Sequence, residues 1–371
     1  MLEKDSLTEM PSYRLAADAS PEEIRATAVR AMRDGLLLRW TPRETITYEK
    51  RKNGVMCPFA KEAGTFYVGM PYTDGSTGIL TWLQYYDFKT GVFTCPEGDF
   101  NELLGNSCAI ALAWGWYAVI PDLDMRSTYT FTRARGCVPV GGYDFDPAID
   151  DLRTVSTKAI IRQNGREKIL EAYTECQPAD ALIMVGLTNA GNHAMMVVEA
   201  PWVVRFPDGR IDPEKSVLVI QDQRGRTKPY EVDGEEILLS GRVRTGITFA
   251  ELIRDGYIPV TLPGLTGQEP HVPASVTAEG PAGDAARLGE VTLVSPYPII
   301  ALTAAVSDAG GRVLGSAKKV LSKKELFNGK MRRFPLKDFP LPELPAGAAK
   351  LSISTLVATG ESFEPLTVSL A

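Results

Sequence analysis

Gly105-Asn106-Ser107-Cys108-Ala109-Ile110-Ala111-Leu112-Ala113-Trp114-Gly115-Trp116-Tyr117-Ala118-Val119 is a polar turn running directly into an uncharged apolar segment. An apolar run of this length with no polar stripe predicts a helix that is hydrophobic on every side, and such a helix belongs at the centre of a domain. Asn106 or Ser107 is placed to cap it. Cys108 falls in its first turn, where the turn-forming lead-in predicts contact with a surface or cleft. The unpaired backbone N–H groups and the positive dipole end at a helix start favour a thiolate. Cys108 is therefore the candidate nucleophile, and the remaining residues can be searched for what it requires.

The chain has 371 residues, which suits two or three domains, and with 44% hydrophobic and 23% charged residues it can build a large core. The net charge is −6 without a long basic run, which argues against a nucleic acid or an anionic membrane surface as partner. No apolar stretch is long enough to span a bilayer, and Met1 to Met10 lack the apolar core of a signal peptide. Cys57, Cys95, Cys108, Cys137 and Cys176 are odd in number and contain no Cys-x-x-Cys pair. At least one thiol is free within a monomer, and a structural zinc site is not expected.

Only two histidines are present. His271 lies in Glu269-Pro270-His271-Val272-Pro273, a proline-rich stretch with no chemical signal. His193 follows Ala190-Gly191-Asn192 and opens the apolar strand Ala194-Met195-Met196-Val197-Val198, which is well placed to project an imidazole into a cleft. A histidine beside the thiol would take its proton, hold the thiolate as an ion pair and later protonate a leaving amine. A third polar group should orient the imidazole through its other nitrogen. The next strand, Val217-Leu218-Val219-Ile220, ends in Gln221-Asp222-Gln223. Asp222 would stabilise an imidazolium best, and Gln221 or Gln223 could orient it neutrally. Strand parity does not choose among them, because Val217 to Ile220 is apolar on both faces.

Ser20-Pro21-Glu22-Glu23 is a capping-box helix start, with Ile24, Ala28 and Met32 on one face. Thr45 to Glu49 and Thr65 to Val68 read as strands around a loop with Cys57. Thr73-Asp74-Gly75-Ser76 reads as a turn before a helix from about Thr77 to Tyr86. Asp87 to Asp99 reads as a loop or hairpin, Ser127 to Thr132 as β-rich, and Lys168 to Cys176 as helical. Strands at 181–185, 194–199 and 217–220 follow, then a helix at 248–254 and a strand at 256–260. A run of strands after a run of helices predicts an α+β fold and not a doubly wound sheet. The domain boundaries that follow are 1–263, a Pro/Gly-rich linker at 264–285, and a small β-sandwich of immunoglobulin-like type at 286–371.

In this order of elements the chain resembles the papain-like cysteine peptidases of the NlpC type, the NlpC/P-sixty superfamily of bacterial cell-wall hydrolases, over roughly residues 66–260. Tyr67-Val68-Gly69-Met70-Pro71-Tyr72 resembles the aromatic-Gly-Pro-Tyr segment before the catalytic helix. Gly105-Asn106-Ser107-Cys108-Ala109 resembles the Asp-Cys-Ser-Gly helix start, Pro178-Ala179-Asp180-Ala181-Leu182-Ile183 the Gly-Asp-Leu-Val strand, and Asn192-His193-Ala194-Met195-Met196-Val197 the Gly-His-Val-Gly-Ile strand. Ser107 stands where that family has Asp, and no histidine is available as third member.

The resemblance implies a central helix packed on an antiparallel sheet, and hydrolysis of amide bonds in peptidoglycan stem peptides through a thioester. Cys108 would be the nucleophile, His193 the base, and Asp222, with Gln221 or Gln223 as substitutes, the orienting group. Tyr72 would help position substrate or an oxyanion-hole water, and the Cys108 N–H would form part of the oxyanion hole. No metal or organic cofactor is required. The expected partners are peptidoglycan or a peptide as substrate, with the β-sandwich contacting cell wall or a second chain, and the place implied by the resemblance alone is extracytoplasmic or cell-wall associated. Two rivals remain open: acyl transfer through the same thioester, and a non-catalytic binding or adhesion module with a decayed site.

Overall fold

The computed structural model describes residues 7–48, 59–73, 77–96, 105–125, 127–187, 191–232, 235–326 and 331–370. Helix α1, Pro21–Leu37, starts with Ser20 as cap and a reciprocal Glu23 bond, and buries Ile24, Ala28, Ala31, Met32 and Leu36. Strand β1 (Arg39–Pro42) pairs antiparallel with β4 (Tyr67–Val68) and parallel with β6 (Val92–Phe93), which forms a hairpin with β5 (Tyr86–Asp87). Strands β2 (Ile46–Tyr48) and β3 (Phe59–Lys61) form a separate pair. The loop and Cys57 between them, and residues 74–76 of the expected turn, lie outside the described residues. The helix expected from Thr77 is shorter: α2 spans Ile79–Trp82 and continues as one 3₁₀ turn to Tyr85. Trp82 stacks on Phe93 with ring centroids 4.0 Å apart.

Helix α3 spans Cys108–Tyr117, and every residue in it is buried. It packs on α1 through Gly115, where an added Cβ would stand 2.8 Å from the Ala28 carbonyl oxygen. Trp116 donates its indole N–H to the Ala179 carbonyl at 2.8 Å, and the Tyr117 hydroxyl donates to the Met125 carbonyl at 2.6 Å. Ser127 to Thr132 is not a strand, as its β-formers suggested. It holds a 3₁₀ turn over Thr128–Thr130, closed by the Thr130 hydroxyl on the Ser127 carbonyl. Local side-chain bonds of Ser and Thr favour such turns over ladders.

The central sheet contains β7 (Val138–Pro139), β8 (Ala181–Met184), β9 (His193–Val197), β10 (Val217–Val232), β11 (Glu235–Thr248) and β12 (Ile258–Thr261), in the order β11-β10-β9-β8-β12-β7. Every neighbouring pair is antiparallel, so the chain is α+β. Helices α4 (Thr157–Asn164), α5 (Arg166–Thr174) and α6 (Phe249–Asp255) surround it. α1 is pinned to this sheet by a buried ion pair, Arg25 Nη1 to Asp180 Oδ1 at 2.7 Å. Asp180, placed in a family motif by sequence, thus serves α1 and the turn at Gln177, whose N–H it accepts at 2.8 Å.

The C-terminal part forms two antiparallel sheets. One holds β13 (Thr277–Glu279), β14 (Thr292–Val294) and β17 (Arg333–Pro335), in that order. The other holds β15 (Ile299–Ser307), β16 (Val313–Val320), β18 (Lys350–Val357) and β19 (Ser362–Ser369), in the order β16-β15-β18-β19. The stretch 264–285, read as a linker, therefore carries a strand of the first sheet. This part is tied to the rest by Asp122 N–H on the Pro296 carbonyl at 2.9 Å and by Tyr13 N–H on the Thr359 carbonyl at 2.7 Å. Among the described residues, no helix is long and apolar enough to cross a membrane.

Candidate active site

The site forms where the start of α3 meets the start of β9. Gly105 sets up the approach. Its φ is +88°, a conformation that side chains other than glycine's rarely adopt. A Cβ there would lie 2.8 Å from the Pro71 carbonyl oxygen and 2.5 Å from Thr73 Oγ1. This tight passage places Asn106 beside Tyr72 in a parallel bridge, with the Thr73 N–H on the Asn106 carbonyl at 3.0 Å. Gly105→Ala is expected to cost about 1–3 kcal/mol for the strained backbone. A thermal melt should show this, and alkylation of Cys108 should slow as the Tyr72 segment shifts.

Ser107 occupies the cap position of α3, but neither it nor Asn106 caps the helix with a side chain. The expected cap is absent, which leaves the first backbone N–H groups without a side-chain acceptor. Cys108 lies there, only 4% exposed. The Tyr72 hydroxyl donates toward its Sγ at 4.0 Å. His193 and the Ala194 N–H act on the sulfur as well, both favouring its thiolate.

His193 opens β9 opposite Met184 and turns its Nε2 to Asp222 Oδ2 at 2.6 Å. Asp222 is fully buried and accepts from two guanidiniums as well: Arg242 Nη2 at 2.7 Å and Arg224 Nε at 2.8 Å. Asp222 and Arg242 face each other across β10 and β11, next to a register shift after Ile220. Gln221 and Gln223 do not reach His193. Gln221 Nε2 donates to the Val29 carbonyl at 2.9 Å, and Gln223 Nε2 donates to the Met70 carbonyl at 2.7 Å. Successive strand residues point to opposite faces, which is why Asp222 parts company with both neighbours.

Burial opposes ionisation of the Cys108 thiol. The charge and hydrogen bond of His193, the Ala194 N–H and the Tyr72 hydroxyl outweigh it, so the thiol lies below its ordinary value. Burial likewise opposes the imidazolium, but Cys108 and Asp222 push His193 up to about 9. The remaining described thiols move the other way. Burial and Glu44 push Cys95 up to about 11, and burial raises Cys137 and Cys176. These groups therefore favour a thiolate–imidazolium pair, held by a carboxylate, at neutral pH.

An open cleft of about 430 Å³ runs along His193, Tyr72, Met184, Asn192, Arg224 and Tyr257. A larger cavity, about 760 Å³, lies against α1 and Pro178 and has no cysteine or histidine in its lining. Residues 101–104 and 188–190, beside the site in sequence, lie outside the described residues. His271 is partly buried near Glu361 and is not part of the cleft lining. Sequence reading missed Arg224, Arg242 and Tyr257, whose ring meets that of His193 at 6.4 Å between centroids. Arg224, two residues beyond Asp222, could have been found by strand alternation. Arg242 left no local signal, because its position depends on the register of a long hairpin. No family model, curated protein or solved structure matches this chain.

Proposed function

We propose that this protein is a cysteine amidohydrolase of papain-like, NlpC type, acting on peptide amides with peptidoglycan stem peptides as the substrate class. The observation that carries the reading is the contrast among the thiols. Of the four described cysteines only Cys108 is favoured as a thiolate, and it alone has a histidine and a buried carboxylate behind it. The antiparallel sheet against the Cys108 helix is what such a fold requires. The two C-terminal sheets suit an immunoglobulin-like module that holds the enzyme on cell wall or on a second chain.

In this mechanism Cys108 Sγ attacks the scissile carbonyl carbon. The oxyanion forms against the uncapped N–H of Cys108, with the Tyr72 hydroxyl beside it. The imidazolium of His193 gives its proton to the leaving amine, and the C–N bond breaks to leave a thioester. Neutral His193 then takes a proton from water, whose oxygen attacks the thioester. The carboxylic acid product leaves, and the thiolate–imidazolium pair is restored.

Digestion of soluble muropeptides, followed by mass spectrometry, tests this. The expected products are paired fragments with a new amine and a new carboxylate, summing to substrate plus one water, and none with Cys108→Ala. A wild type whose Cys108 alkylates readily but which cleaves no muropeptide amide overturns the substrate class. An inert Cys108 overturns the enzyme reading itself.

A further inference from the structure

The charges at the site do not balance. With Cys108 as thiolate and His193 as imidazolium, the cluster holds two anions, Cys108 and Asp222, and three cations, His193, Arg224 and Arg242. One positive charge is in excess. Arg242 is mostly buried and commits Nε and Nη2 to Asp222, with Nη2 also against Met195 Sδ. Arg224 is different. It gives only Nε to Asp222, its side chain is 36% exposed, and it lines the cleft. Among the described residues neither of its Nη nitrogens has a hydrogen-bond partner.

The described cleft lining contains no carboxylate to answer this charge. Asp255, whose field reaches Tyr257, is already bonded to Arg254 at 3.0 Å. A guanidinium anchored through Nε, with its outer N–H groups directed away from that anchor, matches the planar geometry of a carboxylate. We infer that Arg224 recognises a carboxylate carried by the substrate next to the scissile amide, so that acidic peptides are selected over their amidated counterparts. This rests on the reading of Cys108 as the nucleophile. Besides its ion pair with Arg242, Asp222 would thus hold two groups in place: His193 for chemistry and Arg224 for recognition.

A pair of small alkylating reagents tests this without knowledge of the natural substrate. Iodoacetate and iodoacetamide both form a bond from Cys108 Sγ to carbon with loss of iodide, and they differ by a carboxylate against an amide. The ratio of their rates on Cys108 measures the preference of the cleft for a carboxylate. In Arg224→Gln of the full chain that ratio is expected to fall about five- to tenfold, the effect of one charge-assisted hydrogen bond near a protein surface. Arg224→Lys should recover part of it. The pH profile with iodoacetamide should stay in place in both variants, because Arg242 still holds Asp222. An unchanged ratio overturns the inference and leaves the thiol chemistry standing. A ratio that falls only together with a displaced pH profile also overturns it, because Arg224 would then be positioning Asp222. A wild-type Cys108 inert to both reagents removes the nucleophile reading and this inference with it.

Discussion

In His193→Ala, Cys108 is expected to lose its reactivity toward iodoacetamide below about pH 8.5, the ordinary thiol range. Burial alone would raise the thiol, and the imidazolium is the largest influence working against it. Without that charge the sulfur stays protonated at neutral pH. Amide hydrolysis should fall by at least about 10³-fold, because the base for water and the acid for the leaving amine go together. The signs in the wild type follow from the two groups. The thiolate forms above the lowered value of Cys108, and the imidazolium survives up to about 9. Activity should therefore rise as pH climbs through the thiol's lowered value, hold through neutrality, and decline as His193 deprotonates near pH 9. Rapid-quench alkylation with mass spectrometric readout at each cysteine measures the thiol limb directly. A profile unchanged in His193→Ala would separate Cys108 from His193 and end the catalytic reading.

Asp222→Ala should be the most damaging substitution for stability and activity together. The carboxylate is fully buried and faces His193, Arg224 and Arg242. Its removal strands Arg242, whose side chain is only 14% exposed, without a counter-charge. Breaking one side of such a buried pair costs about 3–5 kcal/mol. For a chain of this size that is a fall in Tm of roughly 4–6 °C. His193 then keeps the two guanidiniums and loses the anion, so its imidazolium is disfavoured and the thiolate with it. Asp222→Asn retains an acceptor for His193 without the charge, and should keep more of the stability than of the activity. Burial opposes the charged form of Asp222, but the hydrogen bond and charge of His193, with Arg242, hold it well below the ordinary carboxylate range. The stability it contributes is therefore present above the unfolded carboxylate value, near pH 4, and is lost only as pH falls through the lower folded value. The gap in Tm between wild type and Asp222→Asn should be full at pH 7 and should close only in strong acid. A gap that is already closed at pH 5 would contradict this account.

Parts of the molecule that follow from local pattern were legible without coordinates. The capping box before α1, the unbroken apolar helix from Cys108 and the strands near 181, 194 and 217 rest on periodicity and end signals, and the α+β character on the order of elements. Errors fell where side chains compete with the ladder, as at Ser127 to Thr132, and where a strand hides in a Pro/Gly-rich stretch, as at Thr277–Glu279. Ser107 looked like a cap and makes no capping bond, since one side chain's rotamer and surroundings decide that.

Two members of the candidate site, Cys108 and His193, were determined by the sequence alone, because each stands at the end of an apolar element where a polar turn begins. In the fold the two differ: His193 lines the cleft, whereas Cys108 is buried, 4% exposed. The third member was a tertiary decision. Gln221, Asp222 and Gln223 are equivalent locally, and only the register of β10 between β9 and β11, with its shift after Ile220, turns Asp222 toward His193 and Arg242. A one-residue slip would have presented a glutamine instead. The surplus positive charge at the cleft has the same origin, since its three cations, His193, Arg224 and Arg242, stand 18–49 residues apart and meet only when the hairpin and the β9 pairing are formed.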